Sequence, residues 1–354
     1  MILIDGRSLN ESTPRGVARY TLEIANELAA RGIHVELISN KPISNQLLAD
    51  SKFLKKTFVP TIIPGTLFIL FLNFFLRDRG KKVFLGINHV VPLFWKEKIP
   101  VIHDFNWIRN PRSMTIVNLI ATSISSILSL MLSKKIIFVS NFTLDEFKTI
   151  FPNFNQKKDI KIISPSFLKM DLVEPKKITN FLSFILAVGT IEPKKNYCEL
   201  LRAFESVKKQ GYGGKLLIIS SKSWGSKSFF DQYQKSHYQN DIKIISNLTD
   251  EELVNFYINC DLFVMPSLYE GFGISALEAA FYNAKVICTS KSGAFNELYG
   301  YGNLFKFNPD HDQLDKIISE ALITKKVNEK FFGKSWNEST NELLTFIKYD
   351  GKAE

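Results

Sequence analysis

Cysteine is scarce in this chain: three residues, Cys198, Cys260 and Cys288, with no paired spacing. That excludes a disulfide framework and fits a reducing compartment. Cys260 and Cys288 fall in apolar runs and read as buried thiols. Tryptophan is rare, with 4 residues against 30 phenylalanines, which argues for aromatic core filling rather than a ligand cage. No apolar run supplies the roughly 20 clean residues of a membrane span. Ile62 to Leu76 is short and broken by Pro64 and Gly65; Ile116 to Leu132 is diluted by Asn118, Thr122 and several serines. Both read as buried or half-buried helices. The other reading is monotopic contact with a bilayer, helped by Arg77, Arg79, Lys81 and Lys82. Histidine and cysteine never cluster at metal-ligand spacing, and neither a Walker loop nor a serine elbow is present. No signal peptide precedes Met1-Ile-Leu-Ile-Asp5, which already reads as a strand.

What is present is a globular balance, 45% hydrophobic and 23% charged, over 354 residues, enough for about two domains. The net charge is +10. A basic surplus attracts nucleic acid, anionic membranes or phosphate-bearing ligands, or is simply spread over the surface. Zinc-finger spacing and RNP-like aromatics are missing, which argues against nucleic acid.

The chain alternates strand and helix twice. The first series runs from Met1–Ile4 through a helix at Val17–Ala30, ended by Gly32, and strands near Ile33–Leu37, Val83, Pro100 and Ile136, to Lys161. A lysine-rich segment with Pro175, about residues 169–181, reads as a linker. The second series has strands at Phe184, Lys215, Ile242, Asp261 and Lys285, and helices at Tyr197–Lys208, Asp250–Asn259 (capped by Thr249 or Asp250) and Ile274–Tyr282. A last amphipathic helix spans about Ser335–Ile347. Repeated strand-helix order predicts parallel sheets with right-handed crossovers, hence two doubly wound α/β domains whose ligands bind beyond the strands' carboxyl ends.

Four elements carry chemistry. In Pro266-Ser-Leu-Tyr-Glu-Gly-Phe-Gly-Ile-Ser-Ala-Leu-Glu278, Gly271 and Gly273 permit close backbone approach. The helix that follows offers free amides to a phosphate, Ser275 adds a hydroxyl, and Glu270 and Glu278 can take sugar or ribose hydroxyls. The alternative reading of Glu278 is a carboxylate that complements the helix dipole. In Val188-Gly-Thr-Ile-Glu-Pro-Lys-Lys-Asn196, Gly189 opens a turn, and Lys194 and Lys195 bring positive charge to a strand end, as a diphosphate leaving group needs. Ile102-His-Asp104 follows a strand and places His103 at its carboxyl end, although a lone histidine is usually structural. Asn10-Glu-Ser-Thr-Pro-Arg-Gly16 leads into the first helix, whose N-terminus Gly16 opens to a phosphate. Asp310-His-Asp312 spells a metal-binding Asp-x-Asp, but it follows Asn308-Pro309 and reads as a helix cap.

In this order and spacing the four elements resemble the retaining glycosyltransferases of family four, which have the GT-B fold. The E-x7-E motif is matched by Glu270 and Glu278, and the Gly-x-x-x-Pro-Arg/Lys-Lys-Asn segment by Gly189 to Asn196. The family's His-Asp is matched by His103 and Asp104, and its glycine before the first helix by Gly16. Val139-Ser140-Asn-Phe142-Thr143 and Ser335-Trp-Asn-Glu-Ser-Thr also match, so the resemblance covers nearly the whole chain. Thr190 stands where an arginine is common, Lys194 replaces another arginine and loses its bidentate fork, and Ser164-Pro-Ser-Phe replaces a Pro-Asn-Gly turn. The Val-Gly-Thr-x-Glu-Pro variant is similar to that of bacterial polysaccharide mannosyl- and rhamnosyltransferases.

The resemblance implies two Rossmann-like domains facing a cleft. Residues 1–170 would bind the acceptor, with the helix at 335–350 packing back on them, and residues 182–334 would bind a nucleotide-sugar. Lys195 and the amides near Gly273 would stabilise the leaving diphosphate. Glu278 would hold the ribose, and Glu270 with the Gly271 and Phe272 amides the donor sugar. His103 would contact the sugar and Gly16 the phosphates. Gly189, Thr190, Lys194, Ile274 and Ser275 complete the donor set, and Asp104 and Ser140 lie on the acceptor side. No metal or cofactor is expected. The implied reaction is hexose transfer, GDP-mannose being the first choice of donor, to a glycan or lipid-linked oligosaccharide in cell-surface polysaccharide synthesis. The expected place is cytoplasmic, peripheral on the inner face of an anionic membrane. A sugar-nucleotide epimerase or phosphorylase of the same fold, or a non-catalytic nucleotide-sugar binder, are the alternatives.

Overall fold

The computed structural model describes residues 1–10, 16–43, 51–61, 63, 65–76, 82–111, 114–154, 158–167, 181–220, 225–329 and 331–348. Most of the expected linker lies outside them. The chain divides into two compact units, residues 1–166 with 334–354, and residues 167–333.

The first unit holds β1 (Ile2–Asp5), β2 (Val35–Ser39), β3 (Leu54–Phe58), β4 (Val83–Gly86), β5 (Glu97–Ile102), β6 (Lys135–Phe138) and β7 (Asp159–Ile162), in the sheet order β3-β2-β1-β4-β5-β6-β7. All pairs are parallel, with Ile2 opposite Val35 on one side and Val83 on the other. Crossovers cover both faces, so β1 and β2 are buried at every position, Asp5, Glu36 and Ser39 included. The helices are α1 (Val17–Ala30), α2 (Gly65–Leu70), α3 (Asn106–Arg109), α4 (Ile116–Leu132) and α5 (Asn141–Ile150). A 3-10 turn at Leu72–Phe74 follows α2.

The second unit holds β8 (Phe184–Val188), β9 (Lys215–Ile219), β10 (Ile242–Ile245), β11 (Leu262–Met265), β12 (Val286–Thr289) and β13 (Leu304–Phe307), ordered β10-β9-β8-β11-β12-β13 and again parallel. Its helices are α6 (Tyr197–Lys209), α7 (Lys227–Lys235), α8 (Asp250–Asn259), α9 (Ile274–Phe281), α10 (Gly293–Glu297) and α11 (Leu314–Ile323). Leu200, Leu201, Phe204 and Val207 recur at helical spacing on α6 and pack with Ile185, Ala187, Leu216 and Ile218 of the sheet. Burial of each large side chain there stabilises the unit by roughly 1.5–3 kcal/mol. Thr249 caps α8 through a capping box with Glu252, which decides between the two caps expected. The buried Lys285 ammonium donates to the carbonyls of Ala321, Leu322 and Thr324, satisfying the carboxyl end of α11.

The chain then returns to the first unit as α12 (Trp336–Ile347). Ser335 and Glu338 form its capping box, Ser339 Oγ donates to Ser164 O at 2.8 Å, and Trp336 meets the Tyr20 ring of α1 edge-on. In both sheets the strand order reverses at the first strand of the unit, β1 or β8. This opens a crevice at the carboxyl ends of β1 and β4 in one unit and of β8 and β11 in the other.

One expectation is corrected. Asp310 and Asp312 do not cap a helix: Gln313 is the N-cap of α11, Asp310 pairs with Lys291, and Asp312 accepts from Asn308 N, closing the turn after β13. The segment Ile62 to Leu76 is a short helix and a 3-10 turn with Phe68 and Ile69 buried but Phe74 exposed; Ile62 and Pro64 lie outside the described residues. The segment Ile116 to Leu132 is one helix, but several of its isoleucines face outward rather than into a core.

Candidate active site

Two loops leave neighbouring strands of the second sheet and are stitched together. The first leaves β8 at Gly189, whose φ of 149° and whose crowding against Tyr197 Oη and Lys195 Cε leave no comfortable place for a Cβ. A 3-10 turn at Pro193–Lys195 follows, and Asn196 takes a left-handed conformation to start α6. The second loop leaves β11 at Pro266. Leu268 N donates to Lys194 O at 2.9 Å and Asn196 Nδ2 to Pro266 O at 3.2 Å, so each loop fixes the other.

Glu270 is where they converge. Its side chain is buried, and Oε1 accepts from Lys195 Nζ at 2.6 Å and from Ser267 Oγ at 2.6 Å. Lys194 Nζ lies 3.7 Å from Oε2 and 5.4 Å from the centre of the Tyr269 ring. Burial alone would raise the Glu270 pKa, but Lys195, Lys194 and the Ser267 hydroxyl outweigh it and hold the carboxyl below its ordinary value. The Glu270 backbone donates to Lys291 O and bridges to Ser292, tying this loop to the end of β12 as well.

Beyond Glu270 the chain turns through Gly271 and the buried Phe272 into α9. Gly273, at φ 98°, is the N-cap; a Cβ there would sit 2.8 Å from Met265 Cε. Phe272 O accepts from Ala294 N at 2.7 Å, which locks the turn against α10. No side chain caps α9, so its first amides, beside Ile274 and Ser275, are presented as an anion site. Ser275 is half-buried, and its hydroxyl has no hydrogen bond among the described residues. One turn on, Glu278 is buried, and its Oε2 accepts from Tyr257 Oη of α8 at 2.7 Å. Thr190 Oγ1 donates to Glu192 Oε1 at 2.8 Å, so the position where the family has arginine carries a neutral hydroxyl turned to a neighbouring carboxylate.

The structure therefore brings Gly189, Thr190, Lys194, Lys195, Glu270, Gly271, Phe272, Gly273, Ile274, Ser275 and Glu278 to one edge of the second sheet. Chemically, this edge offers two cations, a helix N-terminus and two buried carboxylates. Ser267, Ser292 and Tyr257 support the site without having been read from the sequence. Ser267 and its carboxylate partner lie in one quoted stretch, whereas nothing near Tyr257 in sequence signals its bond to Glu278.

The remaining predicted residues belong to the first unit. His103 follows β5; its ring meets Tyr20 edge-on at 5.3 Å and lies 5.8 Å from that of His89, which holds a positive φ of 70°. Asp104 Oδ1 accepts from Asn106 N in the turn before α3, whose N-cap is Phe105. Ser140 is the N-cap of α5, its Oγ accepting from Thr143 N at 3.0 Å, a structural task that the acceptor-side reading did not include. Thr143 Oγ1 in turn donates to His103 O. Gly16 is the exposed N-cap of α1, with open space where a Cβ would stand; residues 11–15 of its loop lie outside the described residues.

Residues 174–334 match the family model of glycosyl transferases group 1. An O-antigen chain mannosyltransferase B of Escherichia coli is 26% identical over 70% of this chain and 67% of its own length. A capsular polysaccharide biosynthesis glycosyltransferase, CapM, of Staphylococcus aureus is 27% identical over 49% of this chain, which spans about half of that relative, 48%. The crystal structure of WaaG, a glycosyltransferase involved in lipopolysaccharide biosynthesis, superposes with a TM-score of 0.72 at 14% identity, over 98% of this chain and 95% of that one. Its fold is thus shared over nearly the full length. The chain thus has the two-unit fold of the GT-B glycosyltransferases, its second unit matches the group 1 glycosyl transferase model, and it resembles the polysaccharide mannosyltransferases.

Proposed function

We propose that the chain moves a hexose from a nucleotide-sugar to a glycan or lipid-linked oligosaccharide with retention at the anomeric carbon and without a metal. The observation that carries this reading is Glu270, buried and ionised between Lys195 and Lys194 beside the open N-terminus of α9. A nucleoside diphosphate fits that charge pattern: its phosphates face the lysines and the helix amides, its ribose hydroxyls reach Glu278, and its sugar reaches Glu270. As the bond from the anomeric carbon to the phosphate oxygen breaks, negative charge grows on the diphosphate, and Lys195 stabilises it. The acceptor hydroxyl forms its bond to the same carbon from the leaving-group face, and its proton passes to the departing phosphate oxygen.

The first unit takes the acceptor in this reading. GDP-mannose is the first donor to try, because relatives of the chain bear the name mannosyltransferase. The test is release of free nucleotide from a panel of GDP- and UDP-sugars, with and without a chelator. Turnover with one donor, unchanged by the chelator and accelerated by acceptor, is expected. Stoichiometric binding without release would make the chain a binder, and loss of turnover on chelation would remove the metal-free mechanism.

A further inference from the structure

We propose that the outer face of α4, with the phenylalanines that follow α2, seats the first unit on an anionic lipid bilayer. The helix is built inside out. Its 17 residues include no charged side chain. Ile116, Val117, Ile120, Ile124 and Met131 form one outward stripe, with exposures of 76%, 67%, 54%, 51% and 59%. The buried side carries Ala121, Ser125, Ser126, Ser129 and Leu130. Ser129 Oγ donates to Ser125 O and accepts from Val91 N, while the Ser125 and Ser126 hydroxyls are buried without a hydrogen bond among the described residues. A helix meant to face water puts its isoleucines in and its serines out. Here the small serines let α4 pack closely inward and leave the apolar surface outside, in a contiguous stripe of the kind that marks an interaction face.

The neighbouring structure continues the pattern. α2 packs on α4, and after it Phe74 is 72% exposed, as is Phe94 at 65%, whose backbone N donates to Asn73 Oδ1 in the same turn. Arg77, Arg79, Lys81 and Lys82 follow Phe74 in the sequence. The charge of the whole chain is concentrated in this unit: residues 1–166 and 334–354 hold 25 Lys and Arg against 16 Asp and Glu, whereas residues 167–333 hold 20 against 19. A unit so basic repels a second copy of itself and is drawn to anionic headgroups. Among the described residues no helix is long and apolar enough to cross a membrane, so the contact is to one leaflet.

This inference rests on the reading above in one respect: a lipid-linked acceptor gives the enzyme a reason to sit on a bilayer. The experiment keeps the two apart. Full-length protein is floated with vesicles of phosphatidylglycerol and phosphatidylcholine, and with phosphatidylcholine alone, at low and high salt, with neither donor nor acceptor present. The double variant Ile120→Glu/Ile124→Glu is compared, and nucleotide release in solution is measured for both proteins. The expected result is binding to the anionic vesicles that salt weakens without abolishing, and a loss of at least about 10-fold in the variant, with nucleotide release unchanged. Equal binding by variant and wild type, or no wild-type binding to anionic vesicles at low salt, overturns the proposal. So does a wild-type dimer that the variant dissociates, which would assign the stripe to a second copy of the chain. Failure of nucleotide release with vesicle binding intact would count against the donor site alone.

Discussion

Lys195 and Glu270 lie 2.6 Å apart, both largely withdrawn from water, so neither can be removed without exposing the other's charge to a poor solvent. Lys195→Ala is expected to lower turnover by about 10²–10³-fold, the cost of losing one donor to a developing anion, while the circular dichroism spectrum is retained. Near-normal turnover would take Lys195 out of the mechanism. The depressed Glu270 pKa fixes a sign as well. The folded-state value lies below the unfolded one, so the ion pair's contribution is present above the ordinary carboxylate range and is lost as pH falls through the folded value. Glu270 therefore adds no acid limb to the rate between about pH 5 and 8. A limb near pH 6 that disappears in Glu270→Gln would contradict this. Gly273 holds a φ of 98° against Met265. Gly273→Ala is expected to cost roughly 1–2 kcal/mol in backbone strain alone, read as a lower urea midpoint, and to weaken nucleotide binding as the helix N-terminus shifts.

Helices whose apolar residues recur at helical spacing are predictable, and α1, α6 and α8 begin where their sequences place them. Phe204→Ala on α6 should therefore destabilise the second unit by about 3–5 kcal/mol, measured by denaturant unfolding, because that ring is fully buried between sheet and helix. The less legible elements share a cause. β3 reads Leu-Lys-Lys-Thr-Phe and β13 Leu-Phe-Lys-Phe; both are edge strands that keep one face in water, so their apolar signal is half that of a central strand. In α4 the spacing of apolar residues announces a helix but not which side faces inward, since serine and isoleucine alternate around it. At the site, Glu270, Lys195 and Gly273 stand out because each lies in a short loop between a strand and a helix. Tyr257 does not, because its bond to Glu278 joins residues 21 apart in sequence on two different helices.

At the scale of the whole molecule, each unit has its own sheet, and the expected donor-side residues, Gly16 and His103 apart, come from the second. Residues 167–333 alone are expected to fold and bind a nucleoside diphosphate, as judged by calorimetry. A folded fragment that does not bind would shift part of the nucleotide site to the first unit. The first unit, by contrast, is interrupted in sequence. Its α12 brings Trp336 to Tyr20 and Ser339 to Ser164 only after the whole second unit has been written. At about 5–20 residues per second, a ribosome needs roughly 10 to 30 seconds to cover that interval. For that time the nascent first unit carries an uncovered groove along α1, and the second unit, begun later, is the first to have all of its parts.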